Sequence, residues 1–152
     1  MTSNAILRKV GIMALIRRFE KRDLPDAPLF AGCSRSERRN LSRLGTGITV
    51  RPGTTLTPEG KPGREFFVVK EGEASCTRDG APLAEFSDGD FFGEMALLDG
   101  GPRTATITAK TPLAVVVYSC SEFRTLLDTS TPVRCHLMTQ LARRLRIANI
   151  DP

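Results

Sequence analysis

The chain has a single histidine, His136, among 152 residues. Metal centres on β-barrel scaffolds normally draw on two or three imidazoles, so a metalloenzyme of the double-stranded β-helix type is not expected. The four cysteines, Cys33, Cys76, Cys120 and Cys135, form no CxxC pair and share no regular spacing. Scattered reduced thiols are therefore expected, not a disulfide framework or a metal set. Long apolar runs are also missing, and none nears the ~20 residues that a membrane-spanning helix requires. The short apolar stretch Gly11 to Ile16 runs into Arg17-Arg18 instead of a small-residue cleavage site. No secretory signal is read there, and a cytoplasmic protein is expected. With no histidine cluster and no nucleophile–base pair, catalysis is not expected either.

What is present is ordinary for one globular domain with one core: 40% hydrophobic and 26% charged residues. Thirteen glycines and ten prolines imply many turns and short strands. The net charge of +5 is concentrated in Arg8 to Arg22, Arg35 to Arg43 and Arg143 to Arg146. Such charge favours anionic partners of any kind: a small phosphate ligand, an acidic protein, lipid headgroups or nucleic acid. By itself it selects none of them.

In chain order, Ala5 to Lys21 reads as an amphipathic helix, with Ile6, Val10, Met13 and Ile16 at helical spacing among basic residues. Two roles stay open for it: docking on a membrane surface or partner, and packing on its own domain. Residues 1–27 are read as this helix and a linker. A second helix follows Pro28-Leu29-Phe30, capped by Ser34 with Glu37 three residues on, and with Leu41 and Leu44 inward. Arg35, Arg38, Arg39 and Arg43 make either a basic patch or a solvated face.

Residues 28–119 are read as this second helix followed by an all-β sandwich or barrel. Ile48 and Val50 alternate with polar residues, and Thr54 to Thr57 is a short strand. Phe66 to Val69 suits a strand buried on both faces. Glu71-Gly72, Asp79-Gly80 and Asp88-Gly89 supply turns at near-regular spacing. Leu113 to Tyr118 is the last strand. Residues 120–152 are read as helices, the first opened by Ser121. The next is capped by Thr131 with Pro132 at its first position. Its stripe is Val133, Leu137, Leu141 and Leu145, widened by Met138.

The stretch Phe91 to Ile107, FFGEMALLDGGPRTATI, organises the rest. Gly93 permits a tight bend and close approach of a ligand to the backbone. Glu94 to Leu98 are good helix formers, so one helical turn is expected, with free amides suited to phosphate. Arg103 returns nine residues after Glu94 as a planar charged fork suited to phosphate oxygens. Glu94 would repel phosphate, so it fits a ligand hydroxyl such as a ribose 2′-OH. Arg103 and Thr104 would point to opposite faces of a regular strand, so both reach one ligand only where the chain is still turning.

This stretch resembles the phosphate-binding cassette of the cyclic-nucleotide-binding domain family. The matching residues are Phe92-Gly93-Glu94, Ala96-Leu97 and Arg103-Thr104-Ala105-Thr106. Weaker similarity runs from about Pro28 to about Leu145. The resemblance implies a mainly β fold with flanking helices: a double-stranded β-helix, or jelly-roll-like barrel, with N-terminal helices and C-terminal lid helices. It implies cyclic AMP or cyclic GMP as ligand, with no catalytic cofactor. The ligand-binding residues would be Phe92, Gly93, Glu94, Met95, Ala96, Arg103, Thr104 and Ala105, with Met138 and Leu141 as lid residues. Glu94 would take the 2′-OH and Arg103 the cyclic phosphate.

A regulatory sensor is the leading expectation, its C-terminal helix changing position on binding. That helix would cover the nucleotide or pair with a second copy, and an effector protein would receive the signal. The alternatives are part of a nucleotide-responsive transcription regulator, or a degenerate domain used for docking. A helix-turn-helix would need about 40–60 more residues after the last helix, so direct DNA binding by this chain is not expected.

Overall fold

The computed structural model describes the backbone of Arg17–Arg18, together with Leu24 and residues 26–148. Most of the expected N-terminal helix over Ala5 to Lys21 lies outside the described residues. At Arg17–Arg18 the expectation is corrected, because these two residues form a short strand, β1. Arg17 pairs with Thr49 and Arg18 with Ile48. An open sheet edge offers unpaired backbone groups, and that pairing outweighs the helical pattern of the side chains.

A 3-10 turn (Pro28–Phe30) and helix α1 (Arg35–Leu44) precede the sheets. Ser34 caps α1, its hydroxyl accepting from the Glu37 amide at 3.1 Å. The strands are β2 (Thr46–Val50), β3 (Thr55–Thr57), β4 (Glu65–Glu71), β5 (Ala74–Arg78), β6 (Ala81–Phe86) and β7 (Phe91–Phe92), then β8 (Thr106–Ala109) and β9 (Leu113–Ser119). Helix α2 (Glu94–Asp99) lies between β7 and β8, and α3 (Cys120–Thr129) and α4 (Thr131–Ala148) follow β9. The protein is mainly antiparallel β with flanking helices. Its strands form two sheets instead of a closed barrel, in the orders β1-β2-β9-β4-β7 and β3-β8-β5-β6.

The sequence of β4 explains the layering. Phe66, Phe67, Val68 and Val69 are all fully buried, although successive strand side chains face opposite ways. Phe67 and Val69 join the core between the sheets, with Ile48, Leu56, Ile107 and Val115. Phe66 and Val68 join a second core beneath the helices, with Phe30, Leu41, Tyr118, Phe123 and Leu126. β9 does the same, with Val115 and Val117 on one side and Val116 and Tyr118 on the other.

The helix starts differ from the expected ones. Ser119, not Ser121, opens α3, its hydroxyl accepting from Glu122 N at 3.3 Å. Glu122 Oε1 accepts from Ser119 N at 2.8 Å. Only Ser119 has a glutamate three residues on to complete this reciprocal cap. Ser130, not Thr131, caps α4 by accepting from Val133 N at 3.3 Å. On α4, Val133 and Leu137 are buried, whereas Met138 and Leu145 are exposed.

The Tyr118 hydroxyl is buried and donates to the Leu41 carbonyl at 3.0 Å. Burial first, and then the Glu122 charge, push its pKa above the ordinary 10.0. The unfolded chain releases this proton near the ordinary value and the folded chain retains it. Its contribution to stability is therefore complete below about pH 10 and falls as pH rises beyond it. Tyr118 is the only tyrosine. In an alkaline titration, tyrosinate absorbance is expected to rise together with loss of far-ultraviolet circular dichroism. A reversible rise with the fold intact would contradict this.

Candidate functional site

β7 places the site. Phe92 pairs with Phe67 and Phe91 with Val68, which fixes the two-residue strand to β4. The Phe67 and Phe92 rings stack at 4.9 Å. Gly93 then turns the chain with φ of 91° and caps α2. A Cβ there would stand 2.8 Å from both Arg103 Nη1 and the Glu65 carbonyl. The position therefore demands glycine for conformation and for space. Gly100 ends α2, its amide donating to Ala96 O at 3.1 Å.

Arg103 is held from both ends. Its amide donates to Lys61 O at 2.8 Å, and its carbonyl accepts from Gly60 N at 2.9 Å. Pro62 and Pro102 form an antiparallel bridge beside this clamp. The chain is still irregular here, since β8 begins only at Thr106. The Arg103 side chain runs inward, with Nη1 donating to Gly93 O at 3.0 Å and Nη2 to Glu65 O at 2.9 Å. Glu65 Oε2 lies 3.5 Å from Nη2. These bonds take three of the five guanidinium N–H groups. Burial pulls the Arg103 pKa down, and the charges of Glu65 and Glu94 oppose that shift. A Cβ on Gly63 would lie 2.4 Å from Arg103 Nε, so a glycine makes room for the fork.

Glu94 is only 2% exposed. It is not the solvated first-turn carboxylate that a six-residue helix usually presents. Its Oε1 accepts a hydrogen bond from Arg144 Nη1 of α4, forming an ion pair. Arg144 Nη2 also donates to Phe91 O at 2.9 Å. The guanidinium carbon sits 4.7 Å from the Phe91 ring centroid and 5.9 Å from that of Phe86.

The structure thus brings Gly93, Glu94 and Ala96 close to Arg103, while Phe92 and Ala105 join the core between the sheets. Met95 and Thr104 are exposed, and the Thr104 carbonyl accepts from Arg78 Nε at 3.0 Å. Of the expected lid residues, Met138 is 64% exposed, and Leu141 packs against the core beneath the helices. Gly63, Glu65 and Arg144 were not singled out from sequence. A cleft of about 410 Å³ lies beside α2, lined by Gly60, Gly63, Arg64, Ala96, Leu97 and Arg124 among others. Neither Glu94 nor Arg103 lines it.

The site is thus a glycine-capped helical turn that follows a sheet-edge strand, with a buried carboxylate and a buried arginine beside it. The chain belongs to the cyclic nucleotide-binding domain family, whose model matches residues 48–130, more than half of it. A cAMP-dependent protein kinase regulatory subunit of Yarrowia lipolytica is 40% identical over 116 residues, 75% of this chain and 30% of that protein. The chain thus spans less than a third of that relative. The crystal structure of Thermus thermophilus catabolite activator protein aligns with a TM-score of 0.75 and 28% identity, over 82% of this chain and 61% of that one. The structure of PKAR CBD2 bound to Sp-2Cl-cAMPS gives 0.68 and 26%, over 82% and 85%. Among the described residues, no helix is long and apolar enough to cross a membrane.

Proposed function

We propose that this chain is a non-catalytic sensor module for a cyclic nucleotide. The observation that carries the reading is the Arg103 guanidinium at 3.0 Å from the Gly93 carbonyl, with buried Glu94 next in the chain. A cation and a carboxylate are thereby set at neighbouring points of one cassette, as a cyclic phosphate and its free ribose hydroxyl require. Arg103 takes the phosphate, Glu94 the 2′-OH, and the backbone at Gly93 and the Ala96 amide hold the remaining oxygens. Phe92, Met95 and Ala105 flank the ligand, and Thr104 bonds phosphate or base. Residues 28–119 are the binding unit.

Output passes through α4, with Met138 and Leu141 as lid residues, to an effector protein or a second copy. Binding and helix position are two sides of one equilibrium, so ligand shifts the helix only as far as the two positions differ in affinity. The similar kinase regulatory subunits are named for cAMP, so cyclic AMP is the first ligand to try and cyclic GMP the second. Ligand at 100 times its dissociation constant is expected to add about 2.7 kcal/mol of stability. Thermal unfolding, followed by calorimetric titration, reads this out. A folded chain that binds neither nucleotide overturns the reading.

A further inference from the structure

We infer that Arg78, at the tip of the β5–β6 hairpin, is a positioning residue: it fixes the Thr104–Ala105 peptide and so aims the Ala105 amide at the phosphate beside Arg103. This rests on the cyclic-nucleotide reading above. Arg78 is the last residue of β5, and Asp79 and Gly80 turn the chain with φ of 52° and 78°. Positive φ at both central residues marks the tight two-residue hairpin whose twist matches its strands. The tip is tied down a second time. Asp79 N donates to Glu59 Oε2 at 3.1 Å, and Glu59 N donates to Thr106 Oγ1 at 3.0 Å. The hairpin tip, the β3–β4 turn and the chain after Arg103 therefore form one closed network.

From this tip Arg78 Nε donates to the Thr104 carbonyl at 3.0 Å. The next carbonyl, that of Ala105, accepts from Thr57 Oγ1 at 3.3 Å. In a planar trans peptide the C=O and N–H point opposite ways. Drawing the Thr104 oxygen to the hairpin thus turns the Ala105 N–H away from it. Ala105 is buried, and its amide has no hydrogen-bond partner among the described residues. A buried amide without a partner is rare and costly. An anion seated at Arg103, two residues earlier in the chain, is the partner that removes this cost. Arg78 itself is exposed, so its substitution should leave thermal unfolding without ligand little changed.

The test is calorimetric titration of the whole chain with cyclic AMP, unaltered and as Arg78→Gln and Arg78→Lys, read beside the proton resonance of the Ala105 amide. In the unaltered chain cyclic AMP is expected to move that resonance downfield, as a new hydrogen bond to an anion does. Arg78→Gln is expected to weaken cyclic AMP about fivefold and to shrink the movement at Ala105. Arg78→Lys keeps the charge without the planar donor, and should fall short of the unaltered chain as well. Full affinity in Arg78→Gln overturns the inference, and so does full affinity in Arg78→Lys, since charge alone would then suffice. An affinity loss with the Ala105 movement intact, or a bound unaltered chain with no movement, overturns it too. An unaltered chain that binds neither cyclic AMP nor cyclic GMP overturns the functional reading itself, and the inference with it.

Discussion

Arg103→Ala is expected to weaken cyclic-nucleotide binding by about 2–5 kcal/mol, the range for leaving one member of a buried charge pair without its partner. Two changes contribute. The phosphate loses its guanidinium, and Glu65, only 8% exposed, keeps its charge with no counter-ion beside it. The Gly93 and Glu65 carbonyls also lose their donors. The variant should therefore unfold at a lower temperature even without ligand, and the two effects need separate measurement. Calorimetric titration gives the first and thermal unfolding the second. Arg103→Lys keeps a charge but not the fork that spans Gly93 and Glu65, and should recover only part of the affinity. Gly63→Ala probes the same point without touching the charge, because its methyl would press on Arg103 Nε and Cζ. Affinity equal to the unaltered chain in Arg103→Ala would remove Arg103 from the site.

Phe66→Ala is expected to lower stability by about 3–5 kcal/mol in equilibrium urea unfolding. Phe66 is fully buried, and its ring meets Phe123 at 4.7 Å, Phe91 at 5.6 Å and Tyr118 at 6.1 Å. Those partners lie on α3, β7 and β9, so one side chain joins three elements. Its removal leaves a void that the paired strands β4 and β9 cannot collapse to fill. Phe91 also lies under the Arg144 guanidinium, so the same variant should loosen α4. A loss under about 1 kcal/mol would mean that the second core is far less tightly packed than these distances imply.

The cassette was legible in sequence because its main parts are contiguous. Gly93, the helical turn, the second glycine turn and Arg103 fall within one short stretch, where local chemistry and spacing are enough to read. Phe66 to Val69 was legible for a similar reason, since four consecutive large apolar residues have no solvent face to turn outward. Glu65 and Gly63 were harder. Each looks like a turn or strand-end residue, and its meaning depends on Arg103, about forty positions away.

Arg144 was hidden by a subtler effect. Extending Val133, Leu137 and Leu141 by a further four residues points to Leu145. A helix of about 3.6 residues per turn overshoots with each step of four, so the stripe drifts and a step of three brings Arg144 back inward. Leu145 is 58% exposed, whereas Arg144 reaches Glu94. At Arg17–Arg18 the misreading had another source, because a sheet edge is invisible to helical periodicity.

The strand order has a consequence for the chain as it is synthesised. β4 lies between β7 and β9, and β2 between β1 and β9. Early strands thus wait, unpaired along one edge, for the latest strand to leave the ribosome. Glu94 waits longer, since its partner lies fifty residues further on. A contiguous motif thus gains its last partner only once Arg144 has emerged. Until then the apolar edges of β4 are exposed to wrong partners, and the nascent chain is more vulnerable to aggregation than the finished fold.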